Sequence, residues 1–271
     1  IISDSTCDLS KELVEKYDIT ILPLHILLGE DEYRDGVDIT PEEIFRWSDE
    51  NKTTPKTSAP SLTEAMEVMQ PFVEEGREII CFSISDSMST SGNVMRLAAE
   101  ELEASDKVTV INSANLSTGI GLQVIQAAIL ASEGKTAAEI TTAIEAIRPK
   151  VRASFVVDTL TYLHRGGRCS AVAALAGGIV VDGAMDASKK YRGKLSSVIL
   201  SYTRDMEEDL KNAVPDRVFI THSGCDREIV EAVRSYLESL GIFDEILETR
   251  AGGVVSSHCG PGTLGVLFIA K

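Results

Sequence analysis

Four times along the chain a run of apolar positions stops abruptly in a small hydroxyl-rich turn, and helical spacing follows. The runs are Ile1-Ile2-Ser3-Asp4-Ser5-Thr6, residues 79–91, residues 108–118, and Val218-Phe219-Ile220-Thr221-His222-Ser223-Gly224. Short apolar runs closed by turn residues read as buried strands, and their alternation with helical spacing reads as β-turn-α units. That alternation predicts an α/β protein. Strand ends of this kind place backbone N–H and side-chain O–H donors around a crevice beyond the carboxyl edge of a sheet, where ligands bind in open α/β folds. The donors imply a ligand with an acceptor group such as a carboxylate or phosphate.

Between these runs the helix starts are explicit. Thr40-Pro41-Glu42-Glu43, Ser61-Leu62-Thr63-Glu64 and Thr136-Ala137-Ala138-Glu139 each spell a capping box, the first with proline at the opening helical position. Residues 24–28 and Glu32-Tyr33-Arg34 flank the turn signal Gly29-Glu30-Asp31 and predict a hairpin. Residues 121–132 are apolar on most sides, which predicts a helix buried between layers. The pattern changes around Arg148-Pro149-Lys150, which places a domain boundary near residue 150. Beyond it, residues 151–158 read as a strand, followed by the Gly-rich His164-Arg165-Gly166-Gly167-Arg168-Cys169-Ser170 and a basic cluster at residues 189–194. Residues 195–202 read as a strand, with a helix from Asp205, a strand at 218–221 and a helix at 226–240. Residues 242–248 and 264–270 read as closing strands.

Composition narrows the function classes. At 271 residues the chain can bury a real core, and its 44% hydrophobic and 25% charged content is that of a globular protein. No apolar stretch approaches the ~18 residues of a membrane span, and Ile1-Ile2-Ser3-Asp4 shows no signal-peptide pattern. Acidic residues outnumber basic ones 42 to 26, a net charge of −16. Nucleic acid as a partner is thereby disfavoured, since phosphates require a basic face. The five cysteines are odd in number, scattered, and free of C-x-x-C spacing, which predicts reduced thiols and a cytoplasmic protein.

Most catalytic patterns are missing. No G-x-S-x-G and no P-loop occur, and Gly119-Ile120-Gly121 lacks the third glycine of a dinucleotide fingerprint. The four histidines (His25, His164, His222, His258) are far apart, with none in H-E-x-x-H, so no metal site is expected. Gly166-Gly167-Arg168 reads either as a tight turn or as an anion holder. What remains are polar donors in loops. Asp8 reads as a cap for the following helix or as a ligand-facing acid, and Ser61 as a cap. Thr57 and Ser58, just before that cap, are free to face a ligand. Residues 85–91 hold more hydroxyls than any cap needs, so at least one faces the crevice. His258 sits in His258-Cys259-Gly260-Pro261-Gly262, read as a stiff Gly/Pro turn that is either structural or part of the site.

Six blocks, in order, resemble the DegV family, the fatty-acid-binding proteins that serve bacterial fatty acid kinase. They are Asp4-Ser5-Thr6-x-Asp8-Leu9, Thr57-Ser58-Ala59-Pro60-Ser61, residues 84–91, Asn112-Ser113 through Gly119-x-Gly121, Leu160-x-x-Leu163-x-x-Gly166-Gly167-Arg168-Cys169-Ser170, and His258-Cys259-Gly260-Pro261-Gly262. The chain departs from the family pattern at Asn112, Thr90 and Gly92, and carries Gly177-Gly178 where the family often has lysine-proline. The resemblance implies an N-terminal parallel-sheet α/β/α domain over residues 1–150 and a C-terminal two-layer α/β domain with a mixed sheet over residues 151–271. It implies a long-chain fatty acid enclosed between them as ligand, with no cofactor and no metal. Thr57, Ser89 and His258 would bind the carboxylate, with Ser58 and Ser91 standing behind them. Arg168 and Arg192 would face the ATP-binding fatty acid kinase partner or the phosphoryl group. The chain itself would not be an enzyme. The alternative is a small-molecule kinase or transferase related to dihydroxyacetone kinase, against which the missing phosphate loop argues.

Overall fold

The computed structural model describes residues 1–159, 161–165, 177–181, 183–187 and 191–271. Strand β1 (Ile2–Asp4) pairs in parallel with β2 (Thr20–Leu22). The chain then builds a separate antiparallel sheet in the order β4-β3-β5 from β3 (His25–Leu28), β4 (Asp31–Arg34) and β5 (Lys56–Ser58). The β3–β4 hairpin is the one the turn signal predicts, whereas residues 56–58, read as loop, form its third strand. Strands β6 (Ile79–Ser83) and β7 (Val108–Asn112) complete the first sheet in the order β2-β1-β6-β7, all parallel. Strand order reverses between β1 and β6. The crevice at their carboxyl ends is the topological switch point at which such sheets bind ligands.

Helices α1 (Lys11–Lys16), α2 (Pro41–Asn51), α3 (Leu62–Glu74), α4 (Ser91–Glu101), α5 (Thr118–Ser132) and α6 (Ala137–Ile147) belong to this half. The capping boxes at Thr40, Ser61 and Thr136 all form, each worth about 1 kcal/mol. Ser10 rather than Asp8 caps α1, accepting the N–H of Leu13. Asp8 instead ends a short 3-10 turn at Ser5–Cys7 in a left-handed conformation.

The second half contains β8 (Val151–Val156), α7 (Thr161–Arg165), β9 (Gly177–Val181), β10 (Ala184–Ala187), α8 (Leu195–Asp205), α9 (Glu207–Lys211), β11 (Ala213–His222), α10 (Arg227–Leu240), β12 (Glu245–Arg250), α11 (Gly253–Cys259) and β13 (Leu264–Ala270). Its six strands form a mixed sheet in the order β10-β9-β8-β13-β11-β12, parallel at β11–β12 and antiparallel elsewhere. The fold class is therefore α/β, with a parallel and a mixed sheet. Residues 195–202, read as a strand for their β-branched and aromatic content, are helix α8. Leu195, Val198, Ile199 and Tyr202 recur at i, i+3, i+4 and i+7, and this face packs into the core beneath β11 and β13. The predicted helix from Asp205 is the short α9.

Helix α5 joins the two sheets. Ile120, Val124 and Ala127 pack with Ile80, Phe82 and Ile111 of the parallel sheet. Leu122 and Ile125, on another side of the helix, pack with Val151, Ala153, Phe219 and Leu267 of the mixed sheet. A helix pressed from both sides has no polar face, which is why residues 121–132 are apolar nearly all round. Gly121 permits a close approach to the 3-10 turn: a Cβ there would lie 2.7 Å from Leu9 Cδ2 and 3.0 Å from the Cys7 carbonyl. Among the described residues no helix is long and apolar enough to cross a membrane.

Candidate functional site

A cavity of about 430 Å³ opens beside the switch point. Thr57, Ser58, Asp86, Ser87, Ser89, Thr90 and His258 give it polar groups, the Asp86 carboxylate being paired with Arg96 at 3.4 Å, and Leu24, Ile84, Met88, Leu116, Met185 and Val254 give it apolar wall. Its lining comes from all three sheets' neighbourhoods, so four of the five predicted ligand-facing polar residues meet only through tertiary structure. Thr57 Oγ1 and His258 Nε2 share a hydrogen bond of 2.7 Å across 201 residues of sequence. Both are half-buried, as is Ser89.

Three segments position these groups. Thr57 lies on β5, paired with Ile26 of β3. Ser89 lies on the loop between β6 and α4, folded back on itself by the N–H of Met88 and of Ser89 donating to the Ser85 carbonyl. The Ser87 hydroxyl ties that loop to the Gly183 carbonyl at the β9–β10 turn (2.5 Å), and the N–H of Ser91 donates to Ser89 Oγ (3.2 Å). His258 lies on α11, not in a turn: the Gly260-Pro261-Gly262 segment follows the helix. The helix is hard to read from sequence, because Gly253-Val254-Val255-Ser256-Ser257 has low helix propensity.

Ser91 does not line the cavity; its hydroxyl is buried and donates to Asp4 Oδ2 at 2.9 Å. Arg192 is exposed and also lies away from the cavity lining. Arg168, with Gly166 and Gly167, lies outside the described residues. The fourth hydroxyl-ended run is elsewhere as well: β11 belongs to the mixed sheet, so only three of the four runs end at the parallel sheet's edge.

Three buried carboxylates stand behind the site; of these the sequence points only to Asp8, as a cap for the helix after it or as a ligand-facing acid, and it serves as neither. Asp4 accepts hydrogen bonds from the Thr6 hydroxyl, the Ile84 N–H and the Ser91 hydroxyl; burial raises its pKa above the ordinary carboxylate value. Burial, with the charges of Asp35 and Asp4 adding to it, pushes Asp8 up to about 8, and burial pushes Asp35 up to about 6. The carboxylates bracketing two hydroxyls in Asp4-Ser5-Thr6-Cys7-Asp8 were the available signal. Asp35 carried none, since it follows an exposed hairpin.

Among the described residues nucleophilic chemistry finds no support in the thiols. Burial holds Cys7, Cys81, Cys225 and Cys259 up to about 12, so none supplies a thiolate near neutrality. Among the described residues no group of three or more His, Cys, Asp or Glu side chains is arranged to hold a metal ion.

An apolar cavity at the switch point of an α/β sheet, rimmed by hydroxyls, one imidazole and the Asp86 carboxylate, has the build of a small-molecule site. The model of the DegV family, described as "Uncharacterised protein, DegV family", matches residues 1–271, and the chain belongs to that family. It is 34% identical to a DegV domain-containing protein of Clostridium perfringens, over all of this chain and 98% of that one. A DegV domain-containing protein of Deinococcus radiodurans is 31% identical over 98% of this chain and 96% of its own. Among solved structures, a DegV family protein of Thermus thermophilus described for its fatty acid binding superposes with a TM-score of 0.91 at 29% identity, covering 100% and 98% of the two chains. A stearic acid-binding protein of Eubacterium ventriosum gives a TM-score of 0.86 at 30% identity, with coverage of 100% and 97%.

Proposed function

We propose that this protein binds a long-chain fatty acid, with the carboxylate held by Thr57, Ser89 and His258 and the acyl chain entering the apolar wall of the same cavity. The observation that carries the reading is the Thr57–His258 hydrogen bond beside Ser89 at the mouth of a pocket lined by Ile84, Met88, Leu116 and Met185. The pocket falls within the roughly 300–1,000 Å³ of small-molecule sites. Each buried methylene of the ligand contributes about 0.8 kcal/mol, so the chain supplies most of the affinity. The head group needs donors to offset its lost hydration. Hydroxyls and one imidazole provide them without an arginine clamp and leave one carboxylate oxygen available for reaction. Fatty acid binding by the Thermus thermophilus and Eubacterium ventriosum relatives supports the same ligand class.

The finer reading is that residues 1–150 and 151–271 are two domains closing on the ligand in the cytoplasm. The protein then presents the carboxylate to a separate ATP-binding kinase, for which Arg192, and by the family resemblance Arg168, would supply positive charge. Ser58 adds a hydroxyl to the pocket rim, and Ser91 acts from behind through Asp4. Native mass spectrometry of protein purified from cells tests the ligand. A fatty-acid mass is expected, and protein that is reproducibly empty and fails to take up palmitate overturns the reading.

A further inference from the structure

Asp4, Asp8 and Asp35 line no part of the cavity, yet each holds a segment that does. Asp4 accepts the Ile84 N–H at 2.8 Å and the Ser91 hydroxyl at 2.9 Å, the two ends of the loop that carries Ser89. Asp8 Oδ1 accepts the Gly252 N–H at 2.8 Å, and Asp35 Oδ1 accepts the Gly253 N–H at 2.7 Å. Those two N–H groups open α11, whose last turn carries His258.

We propose that the three aspartates are positioning residues of the pocket's polar rim: Asp4 sets the Ser89 loop, while Asp8 and Asp35 together set α11 and so hold His258 against Thr57. The proposal rests on the reading of Thr57, Ser89 and His258 as the carboxylate-binding groups.

Helix α11 has little else to define it. Its seven residues are too few to form a stable helix alone, and its N-cap, Gly252, has no side chain to cap with. Unpaired, the buried Gly253 N–H at its head would cost about 1–3 kcal/mol, and the part-buried Gly252 N–H less. Glycine is required at the contact, since a Cβ on residue 253 would stand 2.5 Å from Ile26 Cδ1 and 3.0 Å from Asp35 Oδ1. The carboxylates are themselves held from behind. The Ser5 hydroxyl donates to Asp35 Oδ2 at 2.8 Å and accepts the Leu24 N–H. Ser117 and Asp8 Oδ2 meet at 2.5 Å, with Ser117 in a backbone conformation (φ 53°) that non-glycine residues rarely adopt. Asp8 and Asp35 are thus fixed to different parts of the parallel-sheet half and meet at one helix end.

Charge separates their roles. None of the ion pairs among the described residues includes Asp4, Asp8 or Asp35. Among the described residues the titratable groups facing Asp8 are the Asp4 and Asp35 carboxyls and the Cys7 and Cys259 thiols, with no cation to offset it. Near neutrality Asp8 therefore holds a proton, shared with Ser117, while its Oδ1 still accepts from Gly252. Asp35 accepts the Ser5 hydroxyl and the Gly253 and Val254 N–H groups and, pushed up only to about 6, is the ionised member. Raising the pH past about 8 puts two like charges at the head of α11.

The test compares Asp8→Asn, Asp8→Ala and Asp35→Asn. One readout is the His258 imidazole resonance of the ligand-free protein; the other is displacement of a fluorescent stearate analogue from pH about 6 to about 9. Asp8→Ala is expected to shift the His258 resonance and weaken binding about tenfold. Asp8→Asn mimics the protonated acid, so it should bind within about twofold of wild type and lose the wild-type decline above pH about 8. Asp35→Asn, which sets an amide against at least one of its donors, should bind more weakly than Asp8→Asn. An unmoved His258 resonance in Asp8→Ala, or an Asp8→Asn variant that keeps the alkaline decline, overturns the proposal. Because the resonance is read without ligand, that outcome is distinct from wild-type affinity in His258→Ala, which would instead overturn the carboxylate reading.

Discussion

The ends of β6 and β11 look alike in sequence and do opposite things in the fold. Both are apolar strands running into hydroxyl-rich turns, one carrying Ser85 to Ser91, the other His222, Ser223 and Cys225. At β11 every donor is used internally. The Ser223 hydroxyl donates to the Gly260 carbonyl, and its oxygen accepts the Thr263 N–H. His222 Nδ1 accepts the N–H groups of Gly224 and Cys225, and its other nitrogen faces Glu248. Burial, aided by the nearby Arg250 charge, holds His222 below the ordinary histidine value and therefore neutral. At β6 the loop spends Ser85 and Ser87 on structure but leaves Ser89 and Thr90 on a cavity wall, opposite Thr57 and His258. The difference is topological. β6 flanks the switch point, where neighbouring connections diverge and leave a crevice; β11 lies between β13 and β12 in the mixed sheet, and the segment at residues 260–263 closes over its end.

The largest expected effect separates the two ends directly. Ser89→Ala combined with His258→Ala should weaken binding of a fluorescent stearate analogue by at least about a hundredfold, since under the proposed carboxylate reading each removes a hydrogen bond to a charged group worth ~1.5–3 kcal/mol. Ser223→Ala should leave that affinity within about twofold while lowering the urea midpoint, because it strands two buried backbone partners. Equal losses of affinity in both variants would erase the distinction.

A smaller effect is tied to pH. Asp8 and Asp35 are protonated in the folded chain at pH values where an unfolded carboxyl is ionised, so folding takes up protons between pH about 4 and about 8. Their contribution is fully present below pH about 4 and is lost as pH rises through about 6 and then about 8. His25, raised by Glu32 and Glu64 against the opposing effect of burial, has the same sign. Unfolding free energy should therefore fall by about 2 kcal/mol from pH 6 to pH 8, and Asp8→Asn should flatten most of that slope. A slope unchanged in Asp8→Asn would show that Asp8 does not titrate there.

The smallest effect tests a hydroxyl near the pocket that serves only a helix. Ser61→Ala should cost about 1 kcal/mol of stability through loss of the α3 cap. Stearate-analogue affinity within about twofold of wild type is expected; a tenfold loss would place Ser61 in the site.

Much of the architecture was legible because it is written in local chemistry. Capping boxes at Thr40, Ser61 and Thr136 satisfy helix ends with residues three apart. The apolar strands β1, β6 and β13 are buried whichever neighbours they choose. Helix α5 had to be apolar all round because two sheets press on it, and its composition said so. Residues 195–202 misled because β-branched and aromatic side chains suit both strands and buried helix faces; their i, i+3, i+4, i+7 spacing was the better guide. Helix α11 was illegible for a different reason: its cap lies on Asp8 and Asp35, 244 and 218 residues away in sequence from the glycines they hold.

By itself, then, the sequence determined the α/β class, the apolar strands of the parallel sheet, several helix starts and the supply of hydroxyl donors, since each follows from side chains within a few residues of one another. Only the tertiary structure decided which donors remain available. Thr57, Ser89 and His258 meet because β5, the β6–α4 loop and α11 converge on one cavity. The carboxylates that align two of those segments are raised in pKa by a burial that no local pattern encodes.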